Sequence, residues 1–421
     1  MRLGRGIGRG NYEKMSQIGR MKIGFIILVA AVLGASGLNA GDWKQWRGPD
    51  ANGISKESVQ GITDLKVTWK AEMGLGFSGF AVADGRVFTM GHDGKETDTV
   101  WCLDADSGKV LWKHSYPQPL GDLYFPGGST GTPSVDGEVV YSLARAGELF
   151  CFEAATGKVK WQKNLMKDFG YDMPAWGFTG SPRVHGALLL LNAGDAGLAL
   201  RKEDGSQVWK SKNGEASYST PYLVQRGGTD VVIFSNKRGY VCVEAKNGQE
   251  WWRVKWLTRY GVNAADPVVQ GDKLFISSGY DKGSTLLNWE GQGKPKTLWK
   301  NREMKSQMNA CVLIEGFLYG VSGNEGKDGT GLKCMDFASG ESQWTDASVG
   351  QGAVTATEDG DLLVLSEGGE LMIGKASSEG FKSRVKKKVM AGKCWTAPIL
   401  ANGKVYCRNG NGQVVCVKLV P

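Results

Sequence analysis

At 421 residues, with 41% hydrophobic and 22% charged side chains, the chain could build two or three ordinary domains and has the composition of a folded protein. The formal charge of +8 falls to +3 once residues 1–40 are set aside, since that stretch holds six basic residues and one acidic residue. Nothing in this balance calls for a nucleic-acid partner, and no Pro/Ser-rich linker or charge block divides the chain.

The first elements are not those of a folded domain. Residues 1–20 are rich in Gly and Arg and precede a second plausible start at Met21. Lys22, an apolar run over 23–33 and small residues ending at Ala40 read as a secretory signal, too short and too glycine-rich to be a good membrane span. A mature chain beginning near Gly41, periplasmic or secreted, is expected. No cysteine follows the apolar run, so a lipoprotein anchor is not expected. Residues 41–64 form a lead-in, and the repeat occupies 65–421.

The repeat is a phrase that recurs along the chain. Cys102-Leu103-Asp104, Gly108 and Trp112 return as Cys151-Phe152-Glu153, Gly157 and Trp161; as Ala199-Leu200-Arg201, Gly205 and Trp209; as Cys242-Val243-Glu244, Gly248 and Trp252; and as Cys334-Met335-Asp336, Gly340 and Trp344. A weaker copy ends at Trp299 without the glycine, and Trp69 supplies an ending with no beginning. From Trp69 to Trp344 the intervals are 43, 49, 48, 43, 47 and 45 residues. That period, with several short strands in each unit, predicts a β-propeller. Within each unit the run before the glycine alternates like a strand with one buried face. The glycine closes a hairpin that needs a positive φ. The tryptophan follows on the outer strand, where burying it removes roughly 150 to 250 Å² from water. At the usual area coefficient that is about 4 to 6 kcal/mol of gross stabilisation, a structural role between neighbouring sheets.

The chain ends explain how such a ring closes. Val405-Tyr406-Cys407 and Val414-Val415-Cys416-Val417 form two strands, and the chain stops at Pro421 before a glycine and tryptophan appear. Val67-Thr68-Trp69 is the missing outer strand. With a last outer strand near Arg384, where Gly380 keeps its place but the tryptophan is lost, the count predicts an all-β, eight-bladed propeller closed by N- and C-terminal strands.

This phrase resembles the pyrroloquinoline-quinone (PQQ) repeat, found in quinoprotein dehydrogenases and in the propeller lipoprotein of the outer-membrane barrel-assembly machinery. The segment Trp43-Lys44-Gln45-Trp46-Arg47-Gly48-Pro49 resembles the opening of many exported bacterial PQQ-like propellers. The resemblance implies the fold and leaves function open, because one architecture hosts unrelated activities.

A quinoprotein dehydrogenase would need a quinone in the central funnel, a calcium-type cation held by oxygens and an aspartate base. Many also carry an adjacent Cys-Cys pair, and some a haem-binding tail. The sequence has neither Cys-Cys nor C-x-x-C-H. Asp104, Glu153, Glu244 and Asp336 recur with the blades and read as structural. Cys102, Cys151, Cys242 and Cys334 occupy equivalent places and read as small core residues; Cys407 and Cys416, flanking one turn, are the candidate disulfide pair. His92, His114 and His185 share no ligand spacing and read as peripheral, solvated side chains. Lys382, Arg384 and Lys386–Lys388 read as an edge strand protected by charge. No catalytic, cofactor or metal residue is assigned, and no cofactor is expected; PQQ with Ca²⁺ belongs to the alternative, a small PQQ-dependent alcohol-type dehydrogenase.

What remains is binding. Two loops are long, 113–131 and 162–180, and join successive blades. They carry Tyr124, Phe125, Tyr171, Trp176 and Phe178, the candidate contacts for a protein or glycan partner, along with Tyr116 and Phe169. The competing expectation is that these rings fold down as caps. Ser181, Ser219, Thr220, Asn263, Asp266 and Thr396 stand where innermost strands begin and are expected to ring the channel mouth. The expected protein is a monomeric, exported, non-catalytic binding or scaffolding module.

Overall fold

The structure is a computed structural model and describes residues 41–122, 125–324 and 326–421. The signal-peptide expectation lies outside these residues. Eight antiparallel sheets follow one another as blades 1 to 7, at 81–117, 134–164, 183–210, 222–255, 268–301, 312–346 and 353–388, with blade 8 at 399–420. Each runs from its innermost strand outward in chain order. Blade 8 takes three strands from the C-terminus, and its outer strand is Asp64–Glu72, in register from Asp64 opposite Val420 to Glu72 opposite Gln413. The closure expected from the sequence is therefore formed.

The repeated phrase now has its physical explanation. In five blades the cysteine lies directly across from the tryptophan of the outer strand: Cys102 with Trp112, Cys151 with Trp161, Cys242 with Trp252, Cys334 with Trp344 and, across the closing seam, Cys416 with Trp69. The indole then leans onto the next blade. Trp69 Nε1 donates to Ala105 O (3.2 Å), Trp112 to Ala154 O (2.9 Å) and Trp209 to Ala245 O (2.8 Å). The recurring turn glycine of that next blade lies under the ring. A Cβ at Gly108, Gly157 or Gly248 would come within 2.7 Å of Trp69, Trp112 or Trp209 respectively. The glycine thus serves twice, for its positive φ and for close approach. Blade 5 lacks it, and there Trp252 meets Trp289 edge-on (5.1 Å, 80°). Gly380 seats nothing, since a Cβ there would find no atom within 4 Å. The blade carboxylates hold these hairpins: Asp104 accepts the Ser107 N–H (2.8 Å) and hydroxyl (2.6 Å), which pulls its pKa down.

The candidate disulfide is not formed, and two expectations are corrected. Cys407 and Cys416 are free, as are all eight cysteines; they are one residue out of register, Cys407 opposite Val415 and Cys416 opposite Tyr406, so they face opposite sides of the sheet. His92 is buried, not solvated: it lies in strand Arg86–His92 at 1% exposure, with Nε2 2.7 Å from Gln118 O and Nδ1 accepting the Gly94 N–H. His114 packs on Phe150 and Phe152, and burial lowers its pKa.

The lead-in is not a tail. Trp43 bridges Val82 in blade 1, Lys44 O accepts from Val135 in blade 2, and Arg47 donates to Ala310 and Cys311 beside blade 6. Ile54–Ser55 adds in parallel to the innermost strand of blade 7, and Ser55 reaches Leu400 O of blade 8. Residues 43–55 thus lie inside the ring, against innermost strands, and fill the channel from within.

Candidate functional site

Innermost strands begin with a common approach. In five blades a proline precedes the strand: Pro133, Pro182, Pro221, Pro267 and Pro398. Proline fixes φ and lacks an N–H, so it suits a strand entry with no ladder partner. At the residue just before the proline, blades are stitched side by side. Thr132 N donates to Ser181 Oγ (3.0 Å), Ser181 N to Thr220 Oγ1 (3.0 Å), and Thr220 N to Asp266 Oδ1 (2.8 Å); Gly79 N of blade 1 joins by donating to Thr132 Oγ1 (3.0 Å). A girdle of hydrogen bonds therefore runs around this part of the channel.

Four residues before each innermost strand the chain faces the axis. Phe77, Thr130, Thr179, Tyr218, Ala264, Met308 and Trp395 hold this place in seven blades, and all of them line one cavity of about 270 Å³. Only blade 7, with Val349, contributes no such residue. Trp46 of the lead-in lies on the cavity too, its Nε1 donating to Asp266 Oδ2 (2.6 Å). Burial pushes the Asp266 carboxyl up, opposed by the Arg47 guanidinium, the Trp46 bond and the Thr220 N–H; Arg47 Nε lies 4.0 Å from Oδ2.

The walls are largely aromatic. Phe77 stacks on Trp395 (4.9 Å, 18°) and lies 6.5 Å from Phe125; Trp176 meets Tyr218 edge-on (5.6 Å, 83°). Arg145 ties the two long loops together: Nε donates to Trp176 O (3.0 Å), and the guanidinium fills the space a Cβ at Gly121 would take.

Of the residues singled out from the sequence, Phe125, Trp176, Ser181, Thr220, Asp266 and Thr396 meet in this cavity. Ser219 and Asn263 stand behind it, buried at 1% and 0%. Ser219 bonds Ser235 Oγ (2.7 Å), while Asn263 donates to Asn236 O (2.9 Å) and accepts from Ser278 (3.0 Å). Tyr171 and Phe178 are corrected from surface to core: with Phe169 and Leu165 they pack between blades 2 and 3 at 3% and 2% exposure, because the loop folds its apolar side inward. Tyr116 is likewise buried. Tyr124 lies outside the described residues.

Sequence reasoning missed Trp46, Phe77, Tyr218, Tyr280, Met308, Asn309 and Trp395. The signal was present: the third residue before each strand-entry proline is a lining residue in all five blades that have one.

The fold and this axial cavity define the class, an eight-bladed propeller of PQQ-like repeats with a funnel site plugged from one side. The chain belongs to the family whose model is described as outer membrane protein assembly factor BamB, which matches residues 55–130 and 97–346. No curated protein matches it. Among solved structures it is similar to BamB from Moraxella catarrhalis, at TM-score 0.62 and 14% identity over 84% of this chain and 100% of that one. It is similar also to a quinohemoprotein alcohol dehydrogenase from Comamonas testosteroni, at 0.62 and 14% over 91% and 81%. A europium-containing methanol dehydrogenase matches at 0.62 and 12% over 89% of each chain. At such identities the likeness is one of fold.

Proposed function

We propose that this chain is an exported, non-catalytic binding module that engages a protein or glycan partner of the cell envelope at the funnel cavity. The observation that carries this reading is the convergence of seven blades and the lead-in on one aromatic-lined cavity. A concave, mostly apolar site with a few placed polar groups is what a binding site uses. The family, described after an outer-membrane assembly factor, supports an envelope location, and among the described residues no helix is long and apolar enough to cross a membrane.

The alternative, a small PQQ-dependent dehydrogenase, meets a lining that does not suit it. PQQ carries several carboxylates and needs a cation beside it. Among the described lining residues there is no Lys or Arg, and the single carboxylate, Asp266, is already held by Trp46, Thr220 and Arg47. No group of three His, Cys, Asp or Glu among the described residues could hold a metal. An anionic quinone would be desolvated there without a counter-charge.

Two assays test the reading together. Purified protein is incubated with PQQ and Ca²⁺ and assayed for alcohol-dependent reduction of an artificial acceptor; in parallel, its retention by a washed envelope fraction is compared with that of Trp176→Ala. The expected result is no turnover, with retention weakened at least about tenfold by the substitution. Stoichiometric PQQ uptake with turnover, or equal retention of both proteins, would overturn it.

A further inference from the structure

Resting on that binding reading, we infer that the cavity receives the end of a neutral glycan chain, with one pyranose-sized unit inside and the next against a tyrosine pair at the rim.

Charge makes the first selection. A phosphate, carboxylate or ammonium group needs a compensating charge once water is removed. The described lining offers no cation, and its one carboxylate is engaged by its own partners. A peptide entering end-first would carry an ammonium or carboxylate into such a site.

Hydrogen-bonding capacity makes the second. A hydroxyl has one hydrogen to donate and two lone pairs. Ser181 and Thr220 each accept one backbone N–H, which leaves the hydroxyl hydrogen to donate. Thr179 donates to Tyr218 O (3.1 Å) and Thr396 to Phe77 O (3.0 Å), which leaves both oxygens to accept. Asn309 donates one amide N–H to Trp395 O (2.8 Å) and keeps its second N–H and its carbonyl oxygen. Free donors and free acceptors side by side on a small cavity match the vicinal hydroxyls of a sugar. A purely apolar ligand would bury them unpaired, at a cost for each.

Aromatic faces make the third. Trp46, Phe125, Trp176, Tyr218 and Tyr280 are half-buried rings on the cavity, and the electron-rich face of such a ring attracts polarised C–H groups like those of a pyranose.

Size and strain indicate a chain, not a free sugar. The cavity, about 270 Å³, falls just below the span of roughly 300 to 1,000 Å³ usual for small-ligand sites, so it admits only an end. At the rim Tyr280 and Tyr260 meet edge-on (5.3 Å, 82°), with Tyr260 55% exposed. Both occupy the left-handed region, at φ 54 and 76, where a bulky side chain is strained. Strain in two touching aromatics beside a cavity marks a place where position is held for use.

The test is titration with cellohexaose, maltohexaose, xylohexaose, mannohexaose and chitohexaose, and with the corresponding disaccharides, followed by tryptophan emission and calorimetry. A hexapeptide of aromatic and polar residues is the comparator. The expected result is saturable binding of at least one neutral hexaose, weakened about tenfold or more by Tyr280→Ala. Tyr260→Ala should weaken the hexaose and the disaccharide alike, with both variants retaining the parent melting temperature to within a few degrees. Binding of the peptide alone, or of no oligosaccharide, overturns the inference. If envelope retention is still lost in Trp176→Ala while every oligosaccharide fails, the binding reading stands and the glycan assignment falls; if retention is also insensitive to Trp176, both fall.

Discussion

The contact between each tryptophan and the glycine of the next blade is open to a controlled perturbation. At Gly157 an added Cβ would stand 2.5 Å from Trp112 Cδ2, with the backbone at φ 74. Gly186 occupies a comparable turn at φ 55, but a Cβ there meets nothing within 4 Å. Replacing either by alanine costs roughly 1 to 2 kcal/mol for the left-handed backbone. Only Gly157→Ala must also displace a buried indole from its seat and from its bond to Ala154 O, a steric cost of roughly 1 to 3 kcal/mol more. Equilibrium unfolding in guanidinium chloride measures both. The expected outcome is a Gly157→Ala loss exceeding the Gly186→Ala loss by about 1 to 3 kcal/mol, with the excess vanishing in a Trp112→Ala background, as a double-mutant cycle requires. Equal losses in the two single variants would refute the interlock, and so would an excess that survives removal of Trp112.

Deleting residues 41–72 removes the outer strand of blade 8 and the channel plug together, so the truncated chain should aggregate or melt well below the parent; an unchanged cooperative melt would contradict the closure. Trp161→Ala should cost roughly 3 kcal/mol in the same denaturant assay, since a half-buried indole packed against blades 2 and 3 and its interblade bond to Lys202 O are lost at once. Asp98 is buried and its pKa is raised, chiefly by burial, despite bonds from Ser129, Tyr116 and Thr99. A carboxyl whose folded pKa exceeds the unfolded one adds stability at acid pH that is lost as pH rises through the folded value. The melting temperature of the parent relative to Asp98→Asn should therefore fall as pH is raised from about 4 to about 8; a flat or rising difference would refute the assignment. All eight thiols are free and buried, and burial pushes the Cys102 and Cys394 thiols up to about 12. A chromogenic disulfide reagent should label none of them in the native protein and all eight after unfolding.

The ring was legible in the sequence because its energetics repeat. In most blades an indole, a small residue across from it and a glycine beneath it recur at fixed offsets, and the unmatched Trp69 marks the seam. The site was less legible because its parts do not repeat in kind. The axial position of each blade is Phe, Thr, Tyr, Ala, Met or Trp, so composition conceals what position reveals. The loop aromatics divided for a physical reason. Phe125 and Trp176 lean over the funnel, whereas Tyr171 and Phe178 fill the space between blades 2 and 3, and sequence spacing does not distinguish a ring that caps from one that projects. His92 misled because a Gly-His-Asp-Gly string reads as a turn, while its histidine is the last residue of a buried strand. Trp46 was visible only as part of an opening motif. Its bond to Asp266, 220 residues away, is a product of the plug threading the ring.

The central claim, that the partner meets the protein at the axial cavity, is tested most directly by site-specific photocrosslinking in the native envelope. A benzophenone side chain is placed either at Phe125, on the cavity, or at Val208, which is 38% exposed on the outer strand of blade 3. Both variants are irradiated and resolved by mass. The account predicts a discrete adduct from position 125 that disappears with Trp176→Ala, and none from position 208. An adduct from 208 alone, or one from 125 indifferent to Trp176, would contradict it.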